Sequence, residues 1–577
     1  MERQDDLATK PIEIKFSSCR GVAFELKPSP ASPLAVDGAV SGRPAHLPSA
    51  VPRTGRWDWL PLSFGRYSFS REPAEAPDGV GQSMSCGSSH FCDLDNDDED
   101  EDDESSVVYD GADVEMAVAA AAAVDDGVKD KGTSRSAKGS AAPARQSRLG
   151  VILFDQGLFT VYKRLFALCV ALNVAALSVA AAGHFPYAKR HAAVFAMGNI
   201  LALTLCRSEA VLRGVFWLAV TLLGRPWVPV VVKTGVTAIL QSLGGVHSGC
   251  GVSSLGWLVY ALVQAIRHRD VTPPEIVAVA SAILGLLGLS CLAAFPLMRH
   301  LHHNVFERTH RFAGWSALGL LWAFVVLSAG YDQESRSYSR LTGVALAKRQ
   351  DLWLAAAITF FTILQWLTVR RVPVTVTAPS NHASIITFQG GVKAGLLGRI
   401  SLSPLSEWHA FGIISDGGAT HAMLAGAVGD FTRGLVSDPP GHLWVRGVRF
   451  AGLPYLINMY RRATMVATGS GICVFLSLLM QPSPAELSLV WVAKGIEENY
   501  GEEIKAAVTG SKNLAGRVIV HDTAVNGRPD VRELAVGAAR RWGAEVVVVT
   551  SNPEGSRDVV RGCRKAGIPA FGPIWDS

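Results

Sequence analysis

The 577-residue chain is short of charge: only 18% of its residues are Asp, Glu, Lys or Arg. It also lacks organised cysteine chemistry. Its nine cysteines (Cys19, Cys86, Cys92, Cys169, Cys206, Cys250, Cys291, Cys473 and Cys563) are odd in number and contain no C-x-x-C pair, which argues against a disulfide framework and a thiolate zinc site. A net charge of +4 is too small for this length to leave an electrostatic footprint on DNA or RNA, so no nucleic-acid partner is expected. The first ten residues, MERQDDLATK, carry no apolar core for a secretory signal, and the start of the chain is expected in the cytosol. What remains is apolar, with 49% hydrophobic residues and a mean hydropathy of +0.24.

Residues 1–148 are rich in Pro, Ser, Ala and Gly, with an acidic run from Asp93 to Glu104 and an alanine tract from Ala117 to Ala123. They read as a disordered cytosolic arm whose like charges stay solvated. One insert, PIEIKFSSCRGVAFEL, alternates apolar and polar residues as a hairpin would. The stretch FDQGLFTVYKRLF sets apolar residues on one helical face ahead of Lys163 and Arg164, as in a helix lying on a membrane surface. Between 149 and 371 it leads into an apolar run ending near Ala182, and further apolar runs follow at about 192–206, 211–223, 228–245, 252–266, 277–297, 312–330 and 351–369. The longest, about 19 to 21 residues, can cross a hydrocarbon core of about 30 Å. A transmembrane helical bundle of six to eight spans in a lipid bilayer is expected, the runs around Arg207, Glu209 and Arg213 being one bent helix or two. Lys and Arg fall almost equally on alternate loops, so charge does not fix the orientation. Apart from those three residues and Lys233, the bundle holds little of the intramembrane charge a transporter would need.

The remainder reads as a soluble module. From 372 to 460 come six short runs, VPVTVTA, SIITF, GLLGRISLS, AFGIIS, HAMLAGAV and HLWVRGVRF, broken by Gly, Pro, Ser and Asp, the pattern of a small antiparallel β-barrel. From 461 to 577 the order becomes strand, Gly-rich turn, helix in RATMVATGSGICVFLSLL, then strands in LSLVWVA, RVIVHD and AEVVVVTSN. That is a doubly wound parallel α/β domain. The expected fold is thus a multi-pass α-helical membrane bundle, an antiparallel β-barrel and a nucleotide-binding α/β domain, a flavoprotein reductase layout. Gly469 and Gly471 sit where a strand turns into a helix, and residues without side chains there let backbone N–H groups approach a pyrophosphate. Any tight strand-to-helix turn also yields G-x-G, so the pattern alone does not choose. About 20 residues on, where NAD-binding folds place an acid, this chain has Trp491, Val492, Ala493 and Lys494. A basic Lys494 tilts the nicotinamide nucleotide towards NADP rather than NAD.

At these residues the sequence resembles the ferric reductase and NADPH oxidase superfamily, a transmembrane domain followed by a ferredoxin-reductase-like FAD and NAD(P) module. SLSPLSEWHAFGII is similar to its flavin motif, usually His-Pro-Phe-Thr or Ser: His409 and Phe411 match, while Ala410 and Gly412 depart. The residue replaced by Gly412 normally offers a hydroxyl close to the reactive flavin nitrogen. GDFTRGL, with Gly429 and Thr432, resembles the flavin-diphosphate segment, and TGSGICVFLS the nicotinamide-nucleotide loop. The ending TSNPEGSRDVVRGCRKAGIPAFGPIWDS resembles a narrower group, the TmpA-like integral membrane proteins. Phe571 or Trp575 stands where the superfamily stacks an aromatic on the flavin.

In its bundle the superfamily carries two histidines about 13 or 14 residues apart on each of two helices, ligating two haems. NVFERTHRFAGW and HSGCGVSSLGW place His310 and His247 at the two inner positions, but the outer ones hold Ala323 or Phe324 and Tyr260 or Ala261. The resemblance therefore allows one haem b at most and removes the stepping stone in the outer leaflet. Nothing resembles an adenylating domain, a P-loop or a serine-hydrolase elbow. Two functions follow. The first is a membrane flavoprotein oxidising NAD(P)H through FAD on the cytosolic side, with an unknown electron acceptor and no catalytic residue assigned; the plasma membrane is the superfamily's commonest address. The second is a non-catalytic signalling or scaffold protein on a degenerate reductase fold.

Overall fold

The computed structural model describes residues 160–574 except 341. The 1–148 arm, the hairpin sought in PIEIKFSSCRGVAFEL, the first residues of the surface helix from 154, and Trp575 lie outside the described residues. Apolar sequence gives a helical half: α1 Thr160–Ala181, α2 Pro186–Arg190, α3 Ala192–Leu205, α4 Glu209–Leu223, α5 Val230–Gln241, α6 Leu243–Arg267, α7 Pro274–Ala293, α8 Pro296–Leu301 and α9 His303–Gly330. A small hairpin, β1 Tyr331–Asp332 and β2 Ser337–Tyr338, and the helices α10 Gly343–Ala347 and α11 Gln350–Leu367 complete it. Glycines let α6 press onto α1. A Cβ at Gly245 would collide with the Tyr162 carbonyl, and one at Gly249 would stand 2.9 Å from Cys169 Cβ, a small-xxx-small contact typical of helices in apolar surroundings.

Among the described residues four helices, α1, α6, α7 and α9, are long and apolar enough to cross a membrane, or five if α3 and α4, bent by 70° at their junction, form one span. This corrects the expected six to eight. The runs at 211–223 and 228–245 give α4 and α5, of 15 and 12 residues, and both turn one face into the core of the soluble module. Hydropathy counted them as spans because a protein core and a bilayer demand the same residues.

The module begins as α11 ends. Its first lobe has two antiparallel sheets, one ordered β10-β6-β9-β3 with β7 on β6, the other β4-β5-β8. The strands are β3 Val369–Pro373, β4 Thr375–Ser380, β5 Ala383–Gln389, β6 Leu396–Ser401, β7 His409–Gly412, β8 Thr420–Gly426, β9 His442–Arg446 and β10 Phe450–Ala451, with α12 Asp430–Ser437 between β8 and β9. The sheets face each other over Ile386, Ile400, Phe411, Met423, Leu435 and Leu443. They do not close into the expected barrel. Pro379 in β4 has no N–H for a ladder, the β4–β5 register shifts between Thr377 and Ser380, and only an isolated Ile414–Ala422 bridge links β8 to the chain leaving β7.

After α13 Leu453–Leu456 comes the second lobe: β11 Arg462–Thr468, α14 Cys473–Met480, β12 Glu486–Ala493, α15 Ile496–Tyr500, α16 Glu502–Thr509, β13 Val518–Asp522, α17 Thr523–Asn526, α18 Val531–Trp542, β14 Val546–Thr550, α19 Pro553–Lys565 and β15 Ala570–Phe571. Its sheet is parallel throughout, ordered β13-β12-β11-β14-β15, as the strand-turn-helix pattern predicts. Runs such as VVVVT in β14 are buried on both faces, the signature of a covered parallel sheet. One apolar core joins Met465, Phe475 and Leu489 of this lobe to Leu396 and Leu424 of the first and to Phe216 of α4.

Candidate functional site

In an open α/β sheet ligands meet the carboxyl ends of the strands where the strand order reverses, here between β11 and β14. Thr468 closes β11 and donates its hydroxyl to Ser551 Oγ at 2.8 Å, while Asn552 caps α19 by accepting the Gly555 N–H at 2.7 Å. The glycine pair lies at this point, as expected, on a 3₁₀ turn Gly469–Ile472. Gly469 has φ +54°, and a Cβ at Gly471 would stand 2.8 Å from the Thr550 carbonyl oxygen. Each glycine thus has a backbone reason of its own.

Lys494, at the end of the neighbouring β12, is exposed beside this edge. Its turn is fixed by Asp522, which the sequence reading missed. The Asp522 carboxylate accepts N–H groups from Gly495, Ile496 and Ala524 at 2.9, 2.8 and 2.9 Å. Burial opposes its charge, but those donors prevail and hold its pKa below the ordinary carboxylate value. The only available signal was an acid closing the apolar strand of RVIVHD.

The flavin-motif residues are brought together, in β7 and the segment after β8, but each is engaged by protein. His409 is buried with the Phe431 ring stacked on it, centroids 4.0 Å apart and planes 15° from parallel. Phe411 points into the core between the two sheets. Gly429 donates its N–H to Thr432 Oγ1 at 3.0 Å and the Thr432 hydroxyl donates to the Gly429 carbonyl at 3.1 Å, so both cap α12. Gly412 backs directly onto the second lobe: a Cβ there would lie 2.6 Å from Val474 N and Cα.

Polar bonds seal the same seam. Gly395 N–H donates to Ser477 Oγ at 3.0 Å, and Gln481 donates Nε2–H to the Val392 and Ser415 carbonyls at 2.8 Å each while accepting the Ala394 N–H at 3.1 Å. With the lobes in contact, these residues do not fit an isoalloxazine ring between Gly412 and Val474. Phe571 is buried in the core and Gly572 accepts a hydrogen bond from the Gln241 side chain of α5.

In the helical half His247 and His310 do meet, ring centroids 6.5 Å apart. His247 Nδ1–H donates to the Leu203 carbonyl at 3.0 Å, and His310 Nδ1 lies 2.7 Å from Ser290 Oγ and 3.2 Å from Ser290 O. Among the described residues no group of three or more His, Cys, Asp or Glu side chains is arranged to hold a metal ion.

Beside them the helices are bolted to the module. Glu209, buried at the start of α4, lies 2.9 Å from Arg446 Nη1 and 2.8 Å from Arg399 Nε. Arg446 also donates to Gln365 Oε1 at 3.0 Å and stacks over Trp408 at 4.8 Å. The buried Thr237 and Tyr460 hydroxyls bond at 2.8 Å, and burial pushes the Tyr460 pKa upward.

Residues 453–577 match the family described as "Adenylate-forming reductase 03009, C-terminal domain". The chain is 34% identical over 430 residues to Adenylate-forming reductase 06235 and over 427 residues to Adenylate-forming reductase 03009, both of Coprinopsis cinerea; each match covers 73% of this chain and 40% of the relative. The chain therefore spans two-fifths of the length of these curated relatives. A match of 430 residues exceeds the whole module, so the likeness reaches into the helical half. The second lobe is similar to a reductase C-terminal domain. Among solved structures, ferredoxin-NADP+ reductase from Plasmodium falciparum aligns with 36% of this chain and 95% of its own at 11% identity and TM-score 0.28. The Amycolatopsis cytochrome P450 reductase GcoB aligns with 36% and 71% at 11% identity and TM-score 0.29.

Proposed function

We propose that the chain is a membrane-embedded, NAD(P)H-linked oxidoreductase whose second lobe takes a nicotinamide nucleotide at the carboxyl edge of its parallel sheet. The observation that carries this reading is the Gly469–Ile472 turn at the reversal point between β11 and β14, with Lys494 exposed one strand away. Backbone N–H groups of the turn would meet the pyrophosphate and the Lys494 ammonium a ribose phosphate, favouring NADP over NAD.

FAD is the proposed redox group, supplying hydride acceptance when bound. It requires the two lobes to part at Gly412, since the closed seam has no room for its ring. One haem b between His247 and His310 belongs to the same proposal. The 6.5 Å ring spacing supports it, and with both Nδ1 atoms engaged by protein the two Nε2 atoms would be the ones to hold it. The bilayer placement rests on the four long apolar helices. The start of α1, where Tyr162 packs on the second lobe, lies at the module end of the bundle, and the module is proposed to face the cytosol. The plasma membrane is the proposed address and the acceptor is not assigned.

A second reading, a nucleotide-binding scaffold without redox turnover, is favoured by the Gly412–Val474 contact and by the local use of Thr432. An anaerobic titration of detergent-purified full-length protein with NADPH and NADH, with FAD supplied, separates the two. Bleaching of a bound flavin establishes the oxidoreductase. Nucleotide binding by calorimetry without any bound flavin establishes the scaffold, and no nucleotide binding at all sinks both.

A further inference from the structure

We propose that α4 and α5 form an in-plane membrane anchor, a helical hairpin lying in the interfacial layer of the bilayer with the soluble module seated on its inner face. The proposal rests on the membrane reading above and adds a second kind of contact to it.

The geometry begins at the 70° bend after α3, where the chain leaves the direction of the bundle. Neither helix can cross a bilayer, since 15 and 12 residues reach only about 22 and 18 Å against a hydrocarbon core of about 30 Å. Both are apolar on two sides. On the inner side Phe216 and Ala219 of α4, with Val230 and Val236 of α5, join the core of the module, and Glu209 and Thr237 fix the hairpin to it through Arg446, Arg399 and Tyr460. The outer side is exposed. Leu218, Leu222, Trp227, Val231, Val232 and Ile239 stand there, with Trp227 at 79% and Val231 at 81% of full exposure.

Two observations choose the bilayer as the occupant of that outer side. The hairpin is continuous with the candidate span α6, which follows after a single residue, Ser242, and is entered from the apolar 14-residue α3 across the 70° bend. Its charge also suits anionic headgroups: from residue 210 to 241 there is no Asp or Glu, and Arg213 and Arg225 are exposed. Apolar bulk, a tryptophan near the loop and arginines at the rim are what a helix buried shallowly in the headgroup–acyl boundary presents. The module would then ride directly on one leaflet, rather than hang from the α11–β3 junction alone.

The test uses the full-length protein in nanodiscs containing phosphatidylserine, with phospholipids carrying a photoactivatable diazirine either beside the glycerol or at the end of the acyl chain. Crosslinked peptides are read by mass spectrometry. The expected result is that residues 215–239 take at least about fivefold more label from the shallow probe than from the deep one, while the middles of α1 and α6 take the deep label. Deep labelling of the hairpin equal to that of α1 would show a span and overturn the proposal. Labelled α1 and α6 with no label on the hairpin at either depth would also overturn it, by showing that protein or water covers the outer face. No label on α1 and α6 would overturn the membrane reading itself.

Discussion

The closed seam at Gly412 makes the sharpest prediction. Gly412→Ala adds one methyl group where β7 abuts the first turn of α14, and its carbon would lie 2.6 Å from Val474 N and Cα and 2.8 Å from the Cys473 carbonyl carbon. That is about an ångström inside ordinary contact. All three atoms are main chain of α14, and the methyl stands on the strand β7, so no rotamer change relieves the clash. Overpacking of this kind costs about 1–3 kcal/mol. For a module of roughly 200 residues, where each kcal/mol shifts the midpoint by about 2–4 °C, Tm should fall by roughly 2–12 °C.

Intrinsic-fluorescence melting of the detergent-solubilised protein measures the shift. Gly412→Ser makes the same clash and restores a hydroxyl. The serine variant should therefore lose at least as much Tm as the alanine variant, since the hydroxyl does not relieve the clash. An unchanged Tm for Gly412→Ala would mean that the lobes do not touch there in solution, and the closed-cleft reasoning fails.

Four further outcomes are expected. Glu209→Gln leaves Arg446 and Arg399 facing a neutral amide and should cost about 3 kcal/mol, the low end for a broken buried pair, because Arg399 remains 33% exposed and re-solvates; chemical denaturation reads the loss. Gln481→Leu strips three bonds from the inter-lobe seam and should cost about 2 kcal/mol, with faster proteolytic cutting at 390–395. His421 is held below the ordinary 6.5 by burial, opposed by its bond to the Gly390 carbonyl and reinforced by the Arg449 guanidinium. Its contribution to stability is complete above the unfolded value and lost as pH falls through the folded one, so Tm should drop between pH 7.5 and 5 and His421→Phe should flatten that dependence. Lys494→Ala should weaken NADPH binding about tenfold and leave NADH within about twofold, if one charge-assisted bond to the ribose phosphate is lost; calorimetry with both nucleotides decides.

The parallel sheet was legible because strands buried on both faces are continuous apolar runs, and VVVVT or LSLVWVA admit little else. The glycine turn was legible for the same local reason. The α4–α5 hairpin was not. Its inner face answers to a protein core and its outer face to another apolar phase, so composition is the same all round and only the lone Glu209 between arginines hinted at a protein partner. The seam between the lobes was equally hidden. Nothing near Gly412 in the chain announces Val474, and the missing hydroxyl reads as a lost function where the structure shows a required absence of side chain. Thr432 teaches the converse. Its segment resembles a ligand-binding one, and in the structure the hydroxyl completes a helix cap.

The order in which the chain is made gives the hairpin a further consequence. Its inner face packs on strands that end at Phe571, about 330 residues after α5, so at ribosomal rates of about 5–20 residues per second it must wait roughly 15–70 s for its partner. During that interval Phe216, Ala219 and Val236 have no module to cover them, and the nascent hairpin needs an apolar host on both sides. Maturation of the protein therefore includes a late step in which the finished module covers that face and Glu209 holds its two arginines. Substitutions that weaken the ion triad should act at that step, lowering the yield of folded protein before they alter the properties of the molecules that succeed.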